Sequence, residues 1–288
     1  MSDLLIYQLI LCICLLVSLF LFPNASHLGA EQGTTIFFDI ILPYLLPYIF
    51  LTTWLFSLLN YWQLAPRTSF LITYISSAVG GYPVGAIAAL ALYEQQLVSK
   101  KEVQWLLPFL HSPNPFFVIN FVGGDLLHNK LLMVTYLTLH HIVCSIGVFV
   151  IYKRRTKRKD SVHSPTTLSL QSIIEKTTST MLTIAITIIF FSSISYIAIE
   201  LLNKHVPLFI LVSSIGALEL TNGLQFAGSI LYGTPLIVYV IFLLSSQSIS
   251  VHLQVATVVA YKRLSLLPYF FIRIIYTAVF SLIFLLII

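Results

Sequence analysis

Charged residues are scarce in this sequence. Only 9% of its 288 residues are Asp, Glu, Lys or Arg, whereas 58% are apolar. A soluble domain carries about 25% charged residues, so water cannot be the main solvent of this chain. Apolar runs of about 20 residues, the length that crosses a bilayer as a helix, recur along the sequence. The sequence therefore predicts an all-α polytopic membrane protein with the lipid bilayer as its main partner.

The motifs of familiar enzymes and metal sites are also absent. The sequence contains no Walker loop, HExxH, GxSxG or CxxC. Its cysteines lie in apolar segments without metal-ligand spacing, which is typical of small packing residues: Cys12, Cys14 and Cys144. The histidines of the apolar segments share no such spacing either: His111, His140, His141 and His252. We expect no enzyme activity, no cofactor and no metal.

Most of the net charge of +5 comes from one basic run at 153–159. A basic run beside an apolar segment predicts a cytoplasmic loop, because Lys and Arg are enriched on that side of membranes. Recognition of anionic lipid head groups is an alternative. A nucleic-acid partner is not expected, since the rest of the chain carries few cations.

Hydropathy predicts membrane spans at 4–22, 35–62, 130–152, 178–202 and 266–288. The first is interpreted as a retained membrane helix, because no basic segment precedes it as in a signal peptide. Two further apolar stretches are interrupted. A glycine- and proline-rich break at 80–85 predicts a helical hairpin that enters and leaves on one side, and a break at 111–115 predicts a crossing helix unwound near its middle.

The second half of the chain repeats the plan of the first at an offset of roughly 135 residues. Each half has the order long span, interrupted hairpin, polar-interrupted crossing and long span. Such halves are typical of transporters built from inverted repeats, each with a re-entrant hairpin and a broken transmembrane helix. The predicted divisions are 1–33, an N-terminal transmembrane helix and outer loop; 34–152, repeat 1; 153–171, a basic linker; and 172–288, repeat 2.

The positions of the positively charged residues agree with this division of the chain into membrane crossings. With the linker in the cytoplasm, most other cations fall on the same side: Arg67, Lys100, Lys101, Lys176, Lys262 and Arg263. Only Lys130 and Lys204 fall outside. Each half crosses three times, so the halves are inverted. We predict a bacterial plasma-membrane protein with a cytoplasmic N-terminus and linker and an external C-terminus.

The interrupted segments are the candidate site. Irregular backbone at membrane depth must be buried in protein or line a water-filled cavity, and inverted symmetry would bring the breaks at 80–85, 111–114, 219–225 and 245–250 together at the midplane. The candidate substrate- or ion-binding residues are Ser112, Asn114, Glu219, Asn222, Ser246 and Ser248. The candidate hairpin backbone positions are Gly80, Gly81, Pro83, Gly85, Gly216 and Gly223. Alternatively, the Ser and Asn residues only cap or join helices.

Two charged residues are singled out by their apolar surroundings. Glu219 lies in an apolar segment, where an ionisable residue marks a substrate, ion or proton site, unless water reaches the tip of the hairpin. Arg273 lies inside the last predicted span. It either extends its side chain to the inner interface or binds an anion.

These motifs resemble the YlbJ family of sporulation integral membrane proteins, which carry the nucleoside-recognition gate domain. The resemblance covers 35–288 and rests on GGYPVGA at 80–86, SPNPFFVI at 112–119, LELTNG at 218–223 and SISVHLQV at 248–255. It implies a transporter of a small polar molecule, with dipicolinate as the substrate in the sporulation members. Nucleoside-transporter relatives imply Na+ or H+ coupling and a homo-oligomer.

The favoured hypothesis is a membrane transporter of a small polar or anionic solute, working by alternating access at the repeat interface. One alternative is a nucleoside or ion transporter of the same architecture. The other is a scaffold that transports nothing and organises a sporulation or envelope complex through its basic loop.

Overall fold

The computed structural model describes residues 2–62, 65–155, 167–260 and 262–287. Over these ranges the chain is all-helical, with no β-strand. Five of its helical stretches are long and apolar enough to cross a membrane: Pro23–Leu59, Lys130–Arg154, Leu170–Leu202, Thr234–Ala260 and Leu267–Ile287. The chain is thus built as an α-helical, multi-pass membrane protein. The part of the predicted basic run and linker at 156–166 lies outside the described residues.

The helices of the first half are α1 (Ser2–Leu21), α2 (Pro23–Thr35), α3 (Leu42–Trp62), α4 (Pro66–Gly80), α5 (Tyr82–Glu94), α6 (Lys100–Leu110) and α7 (Lys130–Arg154). Two π-helical segments, Ile36–Ile41 and Phe117–Leu126, lie before α3 and before α7. The helices of the second half are α8 (Leu170–Leu202), α9 (Leu208–Leu218), α10 (Leu220–Ile230), α11 (Thr234–Ser246), α12 (Ile249–Ala260) and α13 (Leu267–Ile287).

The structure corrects the prediction of an outer loop before residue 33. Residues 23–35 form α2, which continues through the π-helical segment Ile36–Ile41 into α3. Pro23 occupies the first turn of α2, where its missing N–H and fixed φ suit a helix start. Polar residues made this segment resemble a loop, but α2 is a helix because its small residues pack closely against α8.

All four predicted breaks are present, and three of them are shorter than the sequence suggests. Gly81 alone separates α4 from α5, Glu219 alone separates α9 from α10, and Gln247 and Ser248 separate α11 from α12. The break at 111–114 has the predicted length. Gly81 has a φ of +89°, a conformation that glycine adopts without steric strain.

Helix α8 packs against α1, α2, α3, α9 and α12, and its most extensive contact is with α2. Ala25, Gly29 and Gly33 are buried at four-residue spacing on α2. A β-carbon on Gly29 would lie 2.6 Å from the carbonyl oxygen of Ser192, so the two backbones are almost in contact there. Small residues at this spacing let membrane helices approach closely, which favours dispersion contacts where no hydrophobic effect operates.

Gly29→Val should destabilise the protein, because the valine side chain overlaps the backbone of α8. We expect a loss of about 1–3 kcal/mol, the usual range for overpacking. The measurement is unfolding in mixed detergent micelles followed by circular dichroism, with Ala30→Val, at a half-buried position of the same helix, as the control. Equal stability of the two variants would contradict the proposed contact.

Candidate functional site

The polar breaks of both halves meet at a small internal cavity of about 50 Å³. Asn114 and Glu219, from a break in each half, both line it. The remaining polar lining comes from neighbouring helices: Tyr44, Tyr82, Thr221 and Gln254. We call this space the central cavity. Residues of three predicted breaks, 80–85, 111–114 and 219–225, line this cavity, whereas none of 245–250 does.

Asn114 joins two breaks of the first half. Its side chain is 3% exposed. Its Nδ2 donates to the carbonyl oxygen of Val79 at the end of α4, at 2.9 Å. Its Oδ1 accepts from the backbone N–H groups of Phe116 and Phe117, at 2.9 and 3.1 Å. Asn114 thus satisfies a carbonyl at the end of one helix and two N–H groups at the start of the next.

Glu219 caps the second helix of the α9–α10 pair. Its side chain is 2% exposed, and its Oε2 accepts from the backbone N–H of Asn222 at 2.7 Å. The Asn222 side chain in turn donates to Ser192 Oγ on α8 at 2.5 Å. No cation forms an ion pair with Glu219 among the described residues. The positive end of the α10 dipole therefore provides the main electrostatic stabilisation of the carboxylate.

A larger cavity of about 510 Å³ adjoins the central cavity. Ile184 and Gln254 line both spaces, so the two are neighbours across these side chains. Its charged lining residues are Glu94, at the end of α5, and Lys176, near the start of α8. We call it the Lys176 cavity.

A third cavity, of about 210 Å³, is lined by Asn222, the hydrogen-bond partner of Glu219. Asn222 and Gln225 of α10 line it, together with Gln32 of α2. Gln32 Nε2 donates to Gln225 Oε1 at 3.0 Å and joins the two helices at this cavity. We call it the Gln225 cavity. The hydrogen-bonded pair Glu219 and Asn222 therefore separates the central cavity from the Gln225 cavity.

A second polar cluster surrounds Arg273. This side chain is 3% exposed, and its Nη2 donates to the carbonyl oxygen of His111. Tyr269 Oη donates to Gln247 Oε1 at 2.9 Å and lies 3.3 Å from His111 Nδ1. The guanidinium is therefore inside the protein. The alternative in which Arg273 extends to the membrane interface is wrong, because a hydrogen bond to the 111–114 break holds the side chain inward.

The predicted serines lie outside the central cavity. Ser112 Oγ lies 2.9 Å from His140 Nε2, in the Arg273 cluster. Ser248 Oγ lies 2.8 Å from Ser250 Oγ, and Ser246 Oγ donates weakly to the carbonyl oxygen of Leu243 at 3.5 Å. The second-half serines thus have the helix-end role that the sequence left as the alternative.

The predicted glycines act mainly by allowing close packing. A β-carbon on Gly85 would lie 2.1 Å from the carbonyl oxygen of Leu110. A β-carbon on Gly223 would lie 2.3 Å from the Cα of Gly216, across the α9–α10 pair. Gly80 and Gly81 end α4 and form the turn, and Pro83 lies in the first turn of α5. These positions keep both helix pairs tightly packed against their neighbours.

Several residues of the site were missed from the sequence. Tyr82 and Gln254 line the central cavity, whereas His111 and Gln247 belong to the Arg273 cluster. Their signal was present, because each is a polar residue within or beside a predicted break. No group of three or more His, Cys, Asp or Glu side chains is placed to bind a metal in the ranges that the structure covers.

No protein-family model, characterised protein or solved structure matches this chain.

Asn114→Ala should destabilise the fold, because it leaves buried backbone groups of two helices without hydrogen-bond partners. We expect a loss of about 2–4 kcal/mol from the cap and the unpaired groups. The half-buried Asn120, which accepts only a 3.4 Å bond from Lys130, provides the control variant Asn120→Ala. Unfolding in mixed micelles measures both variants. Equal losses for the two would contradict the role assigned to Asn114.

Proposed function

We propose that the protein is a membrane transporter that moves a small polar or anionic solute by alternating access. The solute site is the central cavity, at the interface of two inverted repeats. The observation that carries this proposal is the shared lining of that cavity by Asn114 and Glu219, each from a helix break in a different half of the chain. Broken helices whose ends meet at one site are the usual substrate-binding arrangement of repeat-built transporters.

The order of helices supports the proposed repeats. In the first half, α3 is followed by the α4–α5 pair, the α6 helix that breaks at 111–114, and α7. In the second half, α8 is followed by the α9–α10 pair, the α11 helix that breaks before α12, and α13. We propose that both pairs are re-entrant hairpins. Each half then crosses the membrane three times, and the two halves have opposite orientations.

The distribution of cations orients the proposed transporter. Lys176 lines the cavity that adjoins the central cavity, and Lys262 forms an ion pair of 3.1 Å with Glu94, another lining residue. By the enrichment of cations on the cytoplasmic side, this cavity opens to the cytoplasm of a bacterial cell. The central site is then approached from the inside, and the Glu219–Asn222 pair closes it toward the Gln225 cavity.

Transport requires the Glu219–Asn222 pair, which closes the central cavity toward the Gln225 cavity, to change position. In the outward state, we propose that the α9–α10 hairpin shifts so that Glu219 faces the Gln225 cavity, while the Lys176 cavity narrows at Gln254. Glu219 is an ionisable group in an apolar environment, so it is also the residue on which Na+ or H+ coupling would act. Glu219 not only caps α10 but also lines a cavity, where a carboxylate can bind a cation or a proton, and this second feature favours the transporter over the scaffold.

Glu219→Gln should abolish transport while leaving the fold intact, since glutamine keeps an oxygen that accepts from Asn222. Proteoliposomes are loaded with a panel of labelled dipicolinate, small monocarboxylates and nucleosides, and flux is followed under Na+ and H+ gradients. We expect flux to fall by at least about tenfold, as for loss of a functional intramembrane charge. Circular dichroism checks the fold.

Glu200→Gln is the matched control, because Glu200 is an exposed acid at the end of α8. We expect its flux to equal that of the wild type. Wild-type flux that survives Glu219→Gln would contradict the assigned site. The absence of flux for every solute of the panel, under either gradient, would contradict the proposed transport of small polar or anionic solutes.

A further inference from the structure

Arg273 is a full positive charge buried in an apolar helix. It lies in α13, is 3% exposed, and its guanidinium carbon lies 5.3 Å from the ring centre of Tyr276. Its bond to the carbonyl oxygen of His111 places it at the end of α6. A helix C-terminus offsets only about half of an elementary charge. Most of the charge of Arg273 therefore requires another counter-charge.

No carboxylate supplies that counter-charge among the described residues. The side chains beside Arg273 are aromatic rings instead: His111 Nδ1 lies 3.4 Å from Arg273 Nη2, and the ring of Tyr276 lies beside the guanidinium. The acid Glu94 forms an ion pair with Lys262, not with Arg273. A buried guanidinium without an acidic partner is uncommon, because ionised groups inside proteins are paired or bind ligands.

Donors around Arg273 are also left unused. Three buried nitrogens have no hydrogen-bond partner among the residues that the structure describes: the donors Arg273 Nε and Gln247 Nε2, and His111 Nε2, which carries a proton in the tautomer whose Nδ1 accepts from Arg273. The three residues are held together, because Tyr269 Oη contacts both Gln247 and His111, while Arg273 contacts His111. N–H groups gathered around one cation are the usual surroundings of a bound anion.

Gln247 lies in the break between two helices. It has a φ of +65° and follows the end of α11, and α12 begins two residues later at Ile249.

We propose that Arg273, Gln247 and His111 form a binding site for one singly charged anionic group. The group is either a free halide ion or one carboxylate of the transported solute. A single negative charge matches the one guanidinium, whereas a divalent anion would bring an unbalanced negative charge into the protein. In its second form, the inference rests on the proposed function and defines the solute as a carboxylate.

The position of Tyr82 connects this site with the central cavity. Tyr82 lines that cavity, and its ring centre lies 4.9 Å from that of His111. Its hydroxyl donates to the carbonyl oxygen of Leu244 at 3.4 Å, near the end of α11. The ring of Tyr82 therefore lies between the central cavity and His111 of the Arg273 site.

Anion binding is tested directly on the purified full-length protein in detergent. Equilibrium dialysis with radiolabelled chloride in a gluconate buffer measures halide binding, and labelled acetate and benzoate measure carboxylate binding. We expect saturable binding of about one anion per chain, and unfolding temperatures that rise with the concentration of the bound anion. Chloride binding identifies a free halide as the ligand, whereas binding of carboxylates alone identifies the solute.

Arg273→Gln should abolish this binding. Arg67→Gln removes the same charge from an exposed position and should bind the anion as the wild type does. Gln247→Ala, which keeps the guanidinium, should weaken binding by about tenfold through loss of one hydrogen bond to a charged group. It serves as the second test if Arg273→Gln does not fold.

Two results would overturn the proposal. One is the absence of saturable binding for every anion tested, and the other is unchanged binding in Arg273→Gln or, if that variant does not fold, in Gln247→Ala. Glu219→Gln separates this inference from the proposed function, because it should lose transport but still bind the anion. Anion binding without any transport would leave the site intact and remove the transporter.

Discussion

The structure depends on how interrupted helices satisfy their backbone groups inside apolar surroundings. Each break frees N–H and C=O groups, and lipid offers them no hydrogen bonds. Asn114 meets this requirement in the first half, by bonding to the end of α4 and to the start of the next helical segment. Glu219 does so at the start of α10. The polar side chains that bond to these backbone groups therefore lie in the interior, where they form the candidate site.

The unpaired backbone groups at helix ends also explain where the two buried ionisable side chains lie. The carboxylate of Glu219 lies at the N-terminus of α10, and the guanidinium of Arg273 lies at the C-terminal end of α6. Each charge faces the favourable end of a helix dipole, which offsets it in part. Neither forms an ion pair with the other or with any other described side chain. We propose that both bind ligands, Glu219 a cation or proton and Arg273 an anion.

Much of the architecture was predictable, because helix breaks in apolar segments need glycine, proline or polar residues. The positions of all four breaks and the shared location of Asn114 and Glu219 follow from that rule. Helix α2 was missed, because its polar composition hides the buried stripe through Gly29. The inward direction of Arg273 was undecided, because a long side chain near a helix end has two physically acceptable environments. Only tertiary contacts distinguish lining residues from serines such as Ser248 that bond locally.

We propose that Glu219, together with Asn222, separates the Lys176 cavity from the Gln225 cavity, and that these two cavities open to opposite faces of the membrane. Single cysteines at Thr180, in the Lys176 cavity, and at Ser229, in the Gln225 cavity, test it most directly. They are introduced into a variant without the native residues Cys12, Cys14 and Cys144. A membrane-impermeant maleimide is then added from one face of oriented vesicles at a time. The account predicts that Thr180→Cys reacts only from the face that carries the basic loop and Ser229→Cys only from the other. Reaction of both from the same face would contradict it.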